Sequence, residues 1–479
     1  MSVAKQASLY LITLLVAGVS IFIVLRFGSL LPMPQATVID AAAHGVAVSE
    51  QPALAMLQEN LESPLAHLFI QILIIIAASR VMARASVRLG FPEVIGEMAA
   101  GILLGPSLFG LLAPEAFSFV FPANSLGTLK LLSQVGICFF MFAVGMELNV
   151  RHLRNRARTA VAVSHSSILV PFLFGVVLAY VLFKDLAGPQ ATFNAFALFM
   201  GISMSITAFP VLARIIQERG MTGTVLGSTA ITCAAVDDVT AWSILAFVIC
   251  VARSSTMDAA LLTLLLALLF VVCMTFAVRR TLPALFGSEA LRREEPSNGT
   301  LAIVILLIIA AAMTTEAIGI HALFGAFLAG TIMPDMAGFR EKINSRVQKF
   351  SSALLLPLFF AFTGLRTQIG LLDDIEGWLL CLLIIAVATL GKLGASAVAA
   401  RITGMNWRES LQLGALMNTR GLMELIALNI GYDLKILSPR IFTMLVIMAL
   451  VTTLLTGPLL ALFARRRRVE SEGQEASHA

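Results

Sequence analysis

Two adjacent aspartates, Asp237 and Asp238, interrupt a long apolar stretch in the sequence CAAVDDVTAW. An aspartate at the centre of a membrane helix costs roughly 2.5–3.5 kcal/mol on insertion scales, so two of them need a compensating gain. Adjacent residues on a helix diverge by about 100°, so the two carboxylates address different partners. The pair therefore predicts a site for a cation and protons; the alternative is a structural pair that hydrogen-bonds neighbouring helices.

A lysine in a second apolar segment, Lys392 in TLGKLGASA, is the natural counter-charge. It lies mid-segment, too far from either end for its ammonium to reach the interface comfortably. We predict a salt bridge between Lys392 and one of the aspartates; the alternative is a lysine that donates to backbone carbonyls of a neighbouring helix. A small cation that reaches the carboxylates would displace protons, which couples the two ions through one charge.

The segment 190–217 is predicted to be a broken helix. Ser203, Ser205 and Thr207 recur at every second position, which is the spacing of an extended chain, and Pro210 removes a helix hydrogen bond. Irregular backbone at membrane depth is tolerated only where it is buried in protein or lines a cavity. We therefore expect Ser205, Thr207 and nearby carbonyls to supply oxygen ligands to a cation.

The segment 409–431 is predicted to be broken as well, because Asn418, Arg420 and a glycine lie at its middle. Arg420 and Glu424 are four residues apart, so they can pair along one helix face. A structural role in holding the broken helix and a functional role are equally compatible with this pair.

The elements that must position these residues are membrane helices. Of the 479 residues, 58% are hydrophobic and only 13% are charged, which excludes a soluble protein and predicts an all-α, polytopic membrane protein. Apolar runs long enough to span are predicted at 7–26, 67–87, 93–112, 126–148, 157–183, 190–217, 221–252, 257–280, 299–318, 320–334, 347–370, 377–400, 409–431 and 440–464.

The two broken segments occupy corresponding places in two halves of the chain. Each is the fifth of six segments, within 67–252 and within 299–464, and the segment 257–280 would link the halves. Matched broken segments in two halves indicate an inverted-repeat secondary transporter with its site at the crossing. We accordingly divide the chain into an N-terminal helix and external loop at 1–66, a membrane domain at 67–464, and a cytoplasmic polar tail at 465–479.

Most of the 33 lysines and arginines fall at segment ends that an inside N-terminus would place in the cytoplasm. We therefore expect a multi-pass protein of a bacterial inner (plasma) membrane with both termini cytoplasmic. The first segment could be a cleaved signal peptide, but its apolar run is longer than a typical h-region, which favours an uncleaved helix.

Other sites are not indicated. The five cysteines are scattered in apolar segments, and no Walker, GxGxxG, HExxH or GxSxG motif stands where it could work. We expect no enzyme activity, no cofactor beyond the transported cation and H⁺, and no nucleic-acid partner. Glu147 is interpreted as interfacial, and His165 and His321 as histidines with satisfied hydrogen bonds in the core.

Several longer strings resemble one family. SITAFPVLARI, AAVDDVTAW, IGIHALFGAFLAG and NTRGLMELIALNIG, together with GEMAAGILLGPSLFG and FFMFAVGMELN, resemble the monovalent cation:proton antiporter-2 family, in particular plant, fungal and bacterial cation/H⁺ exchangers. The strings extend from about 93 to 431 in the order and spacing of that family.

The resemblance implies 13 core helices, here with one extra N-terminal helix, inverted six-helix repeats with two crossed broken helices, and a lipid-embedded homodimer that transports by an elevator-like movement. It implies that Asp238 is the principal cation ligand and that Asp237 pairs with Lys392. Members with Asp–Asp and Lys are usually electrogenic, whereas many plant exchangers carry Asn at the first position. Many bacterial relatives carry a cytoplasmic nucleotide-binding domain, which we do not expect in this chain.

The function predicted from the sequence is therefore exchange of Na⁺ and/or K⁺ for protons, electrogenic, with an electroneutral K⁺/H⁺ exchanger as the alternative. A channel would not need a proton-coupled switch such as a buried Asp–Lys pair. An intramembrane aspartyl protease needs two facing aspartates, which adjacent residues on one helix do not provide. A solute symporter is a further, weaker alternative.

Overall fold

The computed structural model describes residues 63–147, 157–221, 224–253, 257–287, 291, 295–335 and 338–475, together with 19, 60 and 61. Within these ranges the chain is α-helical, with one isolated antiparallel bridge between Ala187 and Leu437. The predicted N-terminal helix at 7–26 and most of the predicted external loop lie outside the described residues.

The helices, in chain order, are α1 (Pro64–Arg88), α2 (Glu93–Leu104), α3 (Phe109–Leu112), α4 (Pro114–Val120), α5 (Leu126–Glu147), α6 (Ala157–Leu186), α7 (Phe193–Ser205), α8 (Phe209–Glu218), α9 (Val225–Arg253), α10 (Met257–Val272), α11 (Arg279–Phe286), α12 (Asn298–Ile318), α13 (Ala322–Thr331), α14 (Phe339–Phe350), α15 (Leu356–Arg366), α16 (Ile375–Ile402), α17 (Trp407–Met417), α18 (Leu422–Asp433) and α19 (Pro439–Glu475). A π-helical turn joins α10 to α11, and another joins α14 to α15.

Eleven helical stretches in the described part of the chain are long and apolar enough to cross a membrane. The first broken segment counts among them as Phe193–Glu218. The predicted segment 320–334 contains only the ten-residue helix α13, and the predicted segment 409–431 is divided into α17 and α18. The prediction of an all-α membrane protein is confirmed, while the count of 13 core helices plus one stays a prediction.

The helices pack mainly within two groups, which we call the scaffold group (α1, α2, α5, α12, α13, α14 and α15) and the site group (α6, α7, α8, α9, α16, α17, α18 and α19). Helix α10 contacts α9 on one side and α12 on the other, so it connects the two groups. Small residues permit close packing inside the scaffold group: a Cβ added at Gly101 of α2 would lie 2.2 Å from the carbonyl oxygen of Phe360 in α15. All of the predicted site residues belong to the site group and its two helix breaks.

The first break is shorter than the alternating serines and threonine predicted. Helix α7 continues through Ser203 and Ser205, whose hydroxyls donate to the carbonyls of Phe199 and Gly201, each at 2.7 Å, four residues back along the same helix. Only residues 206–208 lack regular structure. The prediction of extended chain at the two serines is therefore wrong.

Pro210 also acts differently from the prediction, which made it remove an internal hydrogen bond. It lies in the first turn of α8, where a helix has no partner for the N–H in any case. Pro210 therefore begins the second half-helix and does not kink a continuous one.

Candidate ion site between the two interrupted helices

The two breaks contact each other through hydrogen bonds. The backbone N–H of Ala208, in the first break, donates to the carbonyl of Thr419, in the second, at 3.0 Å. The hydroxyl of Thr207 donates to the carbonyl of Met417, the last residue of α17, at 3.1 Å. The polar backbone that each break leaves without a helical partner is thus satisfied partly by the other break.

The carbonyl groups in the last turn of α7 have no hydrogen-bond partner within the helix. Two buried cationic side chains donate hydrogen bonds to them. Arg420, in the second break, donates to the carbonyl of Ser203 at 2.5 Å and to that of Met204 at 2.7 Å. The ammonium of Lys392, in α16, donates to the carbonyl of Ser205. Cations at the C-terminal end of a helix are favoured by its dipole, so these two contacts hold α7 against α16 and the second break.

Lys392 also contacts the first aspartate. Its Nζ lies 3.3 Å from Oδ2 of Asp237 and 3.2 Å from the carbonyl oxygen of Ser167, and both charged side chains are fully buried. With the carbonyl of Ser205, these contacts give the three N–H groups of the ammonium one acceptor each. The prediction of an aspartate partner and its alternative, backbone carbonyls, therefore both describe contacts that Lys392 makes.

Asp237 is held by further donors on α6. Its Oδ1 accepts a hydrogen bond from the hydroxyl of Ser167 at 2.9 Å and a longer one from Ser164 at 3.4 Å. Both oxygens of this carboxylate are thus engaged. These serines were not among the residues predicted from the sequence, although the polar run SHSS at 164–167 inside an apolar segment was a usable signal.

Asp238 differs sharply from its neighbour. Its side chain is fully buried, and neither carboxylate oxygen has a hydrogen-bond partner among the described residues. An ionised carboxylate without a partner is very unfavourable in a low-dielectric interior, so this group requires a bound proton or a cation. The two adjacent aspartates therefore differ: both carboxylate oxygens of Asp237 have partners, whereas the carboxylate of Asp238 is available to a proton or a cation.

Arg420 and Glu424 pair as predicted, with Nη1 of the arginine 3.1 Å from Oε2 of the glutamate and both side chains fully buried. Arg420 lies in the break, however, and Glu424 lies in the first turn of α18, so the pair spans a helix start. Thr453 of α19 fixes the arginine backbone by accepting from its N–H at 3.0 Å and donating to its carbonyl at 2.8 Å.

The buried charges at the breaks do not balance. Five charged side chains among the described residues have no exposed surface, namely Asp237, Asp238, Lys392, Arg420 and Glu424. If all five are ionised, three carboxylates face two cations and one negative charge remains. The number of excess negative charges, one, equals the number of carboxylates without a hydrogen-bond donor, namely that of Asp238.

The predicted oxygen ligands lie at the first break. The hydroxyl protons of Thr207 and Ser205 are both donated to backbone carbonyls, so the hydroxyl oxygens retain lone pairs for an additional partner. Asn418, which directly follows the last residue of α17, is fully buried, and its side-chain oxygen and nitrogen have no hydrogen-bond partner among the described residues. Each of these buried side chains thus retains hydrogen-bonding capacity that no described residue uses.

A cavity of about 580 Å³ opens beside the breaks, between α2, α5 and α15 of the scaffold group and α8 of the site group. It reaches Ala208 in the first break and Leu422 at the start of α18. Its charged lining residues are Arg80, Glu93, Glu97, Glu147, Arg214 and Glu218. The cavity thus reaches both breaks on this face, although Asp238 itself does not line it.

Three residues for which the sequence predicted no role in the ion site differ in their burial and hydrogen bonding. Glu147 accepts a hydrogen bond from Gln348 at 3.1 Å and lines the cavity at the end of α5. His165 is exposed on α6, so the prediction of a core position is wrong for it. His321 has a positive φ of 89° before α13, and its Nδ1 has no hydrogen-bond partner in the described chain, so the prediction of a satisfied histidine is wrong as well.

Comparisons with known proteins agree on the family. The family model described as "Sodium/hydrogen exchanger, transmembrane" matches residues 72–466. The chain is 43% identical over 389 residues to the Na⁺/H⁺ antiporter NhaS4 of Synechocystis, a match that covers 81% of this chain and 95% of that protein.

Two eukaryotic relatives are similar over a part of their length. Cation/H⁺ antiporter 18 of Arabidopsis thaliana is 37% identical over 86% of this chain, and K⁺/H⁺ antiporter 1 of Saccharomyces cerevisiae is 30% identical over 84%. The chain spans 50% and 46% of the lengths of these two proteins.

Among solved structures, the sodium proton antiporter MjNhaP1 from Methanocaldococcus jannaschii matches with a TM-score of 0.58 and 17% identity, over 83% of this chain and 97% of that one. This likeness concerns the fold. The family match over most of the chain, together with the cation/proton antiporters among its relatives, confirms the predicted resemblance: the chain belongs to the sodium/hydrogen exchanger family of cation/proton antiporters.

Proposed function

We propose that this protein exchanges a monovalent cation, Na⁺ and/or K⁺, for protons, with Asp238 as the principal ion site. The observation that carries the proposal is the uncompensated charge of a fully buried carboxylate that has no hydrogen-bond donor. One bound proton or one monovalent cation neutralises that charge, and the two cannot both do so. Competition for a single carboxylate is sufficient to couple the two fluxes.

The first coordination sphere of the cation is proposed to include the hydroxyl oxygens of Thr207 and Ser205 and carbonyls of the breaks. Oxygen atoms are the ligands that hard cations prefer. The hydroxyl protons of both residues are engaged with carbonyls, which directs lone pairs away from those contacts. Lys392, Arg420 and Glu424 are proposed to hold the breaks in register around this site.

Asp237 and Lys392 are proposed to make the exchange electrogenic. If the arriving cation releases one proton from Asp238 and a second from the Asp237–Lys392 pair, each cycle moves net charge. The full burial of that pair supports a change of protonation when its surroundings change. An electroneutral exchange, in which only Asp238 titrates, is the alternative that a stoichiometry measurement distinguishes.

The movement is proposed to be elevator-like, within a homodimer built on 13 core helices in inverted repeats. In support, the site residues belong to one group of helices, while the cavity beside them is shared with the scaffold group. We further propose that the cavity face is cytoplasmic, in a bacterial inner membrane, as the distribution of lysine and arginine predicts. Because NhaS4, which the chain matches over most of both lengths, is named a Na⁺/H⁺ antiporter, Na⁺ is the first ion to test.

The decisive experiment is cation-induced proton release in proteoliposomes, measured across Li⁺, Na⁺, K⁺ and Rb⁺ with the membrane potential clamped. We expect Asp238→Asn to abolish exchange with every ion, because the amide cannot carry the exchanged charge. Asp258→Asn, at an exposed aspartate in the first turn of α10, is the matched control and should exchange normally. Normal exchange by Asp238→Asn would refute the assignment.

The dependence of the rate on the clamped potential reports stoichiometry in the same preparation. An electrogenic wild type whose Asp237→Asn variant no longer responds to potential would support the proposed two-proton exchange. A wild-type rate that is independent of potential would favour the electroneutral alternative.

A further inference from the structure

A second polar cluster joins the two helix groups far from the ion site. Asp433, at the end of α18, accepts a hydrogen bond from Arg366 of α15 at 2.6 Å, and its same oxygen lies 3.1 Å from the ammonium of Lys130 in α5. Arg366 also donates to Asn429 at 3.0 Å. The guanidinium carbon of Arg366 lies 4.2 Å from the ring centroid of Phe362, and only 15% of the arginine side chain is exposed.

The cluster crosses from one group to the other. Arg366 and Lys130 belong to the scaffold group, whereas Asp433 and Asn429 belong to the site group. The same boundary is crossed by a hydrogen bond from the side chain of Asn429 to the hydroxyl of Thr363, at 2.8 Å. The segment that follows α15 is tied to the site group as well, because the backbone N–H of residue 368 donates to the hydroxyl of residue 443 in α19, at 3.1 Å. A partly buried, multiply bonded arginine–carboxylate contact is stronger than an exposed surface pair.

The cluster and the cavity lie at opposite ends of the same helix. Glu147, at the end of α5, lines the cavity, and Lys130, near its beginning, contacts the cluster. At about 1.5 Å per residue, these two positions are about 26 Å apart along α5. The two helix groups therefore enclose a cavity on one face, where a 3.0 Å pair between Arg214 and Glu93 links them, and are joined by the cluster on the other face.

The space around the cluster does not lead to the ion site. The cavity next to Asp433 that is shared by the two groups has a volume of only about 20 Å³. A larger groove of about 1060 Å³ runs beside it and is lined by Lys130 and Asp433, but none of its lining residues belongs to either break. Neither space next to Asp433 therefore reaches the ion site.

We propose that Arg366, Asp433 and Lys130 form a latch that closes this face while the ion site is open to the cavity, and that the latch must separate for the site to open on the other side. The inference rests on the proposed alternating-access exchange. Two cations share one carboxylate, so loss of that carboxylate leaves Arg366 and Lys130 as like charges without a counter-charge. Asp433 is then a residue that positions the two groups during transport without touching the ion.

The first test reads accessibility and does not require transport. Ser133 is buried and lines the small cavity at the cluster, so Ser133→Cys in a variant without the five native cysteines reports opening of this face. We expect Asp433→Asn to raise its labelling by a membrane-impermeant maleimide by at least about tenfold, which corresponds to about 1.4 kcal/mol of lost latch energy. If Ser133→Cys is labelled at the same rate with and without Asp433→Asn, the latch is overturned, whether or not the protein exchanges ions.

The second test asks whether separation is required. In the same cysteine-free background, Arg366→Cys and Asp433→Cys are joined by a short, reducible thiol crosslinker. We expect crosslinking to reduce exchange by at least about tenfold and a reductant to restore it. The control is a crosslink between Gln71→Cys in α1 and Ser125→Cys directly before α5, whose native side chains hydrogen-bond at 2.6 Å on the scaffold side alone. This crosslink should leave exchange unchanged.

The outcomes separate the two proposals. Full exchange by the protein crosslinked between 366 and 433 overturns the latch and leaves the proposed exchange intact. Absence of exchange in the wild type contradicts the proposed exchange, and the labelling of Ser133→Cys then still decides whether the cluster closes this face.

Discussion

The ion pair between Lys392 and Asp237 can be tested by replacing each partner with an uncharged side chain of similar size, Lys392→Met and Asp237→Asn. Either substitution leaves a fully buried charge without its counter-charge, because both side chains have no exposed surface and their charged atoms are 3.3 Å apart. At an effective dielectric constant of about 20, that separation corresponds to a direct attraction of about 5 kcal/mol.

The net effect is smaller, because each single variant retains other contacts. Asp237 keeps the hydroxyl donors Ser164 and Ser167, and Lys392 keeps two backbone carbonyls. We therefore expect each single substitution to destabilise the protein by about 3–5 kcal/mol, the usual cost of breaking a buried pair. The double substitution removes both charges of the pair and should cost about as much as one single, which gives a coupling energy of about 3–5 kcal/mol.

The assay is equilibrium unfolding in mixed micelles for the wild type, both single variants and the double variant. A control cycle combines Lys392→Met with Asp374→Asn, which lies at the far end of α16, about 27 Å along the helix at the usual rise. That control should be additive. Additive effects of Lys392→Met and Asp237→Asn would refute the pairing and would mean that backbone carbonyls account for the burial of the lysine.

Two further substitutions test the scaffold and the surface. Gly364→Ala places a Cβ 2.0 Å from the backbone of Gly101, so the crowding should lower the free energy of unfolding by about 1–3 kcal/mol in the same assay. Gly394→Ala is the control, because its Cβ meets no atom of the described residues within 4 Å. Equal effects of the two substitutions would contradict the packing. At Asp374, the hydrogen bond from Arg440 and the backbone N–H of Gly377 hold the pKa of the carboxyl below its ordinary value of 3.8. The contribution of this carboxylate to stability is thus present above pH 3.8 and is lost as the pH falls through the lowered pKa. We therefore expect Asp374→Asn to lose less stability than the wild type between about pH 5 and pH 2. Equal losses would exclude this carboxyl as a source of the acid sensitivity.

The depth and the chemistry of the site could be predicted from the chain alone. A carboxylate pair or a lysine within an apolar segment is costly wherever that segment lies in the bilayer, so Asp237, Asp238 and Lys392 are conspicuous without any knowledge of neighbouring helices. The two breaks are conspicuous for a similar reason, since glycine and several polar groups at mid-membrane conflict with a regular lipid-facing helix. The predicted limits of the first break were wrong, because residue spacing alone does not distinguish a serine whose hydroxyl bonds back to its own helix from a serine in extended chain.

The choice of partners was decided only by the tertiary structure. Periodicity places a residue on a helix face, but it does not say which helix packs against that face or at what height. That Lys392 selects Asp237, that Arg420 reaches the carbonyls at the end of α7, and that Asp433 meets Arg366 across 67 positions of the chain are properties of interhelical packing. The sequence determined that an unusual charge lies in the membrane, and the packing determined that Asp238 is the carboxylate left without a partner, because hydrogen bonds and charge balance depend on distances between helices.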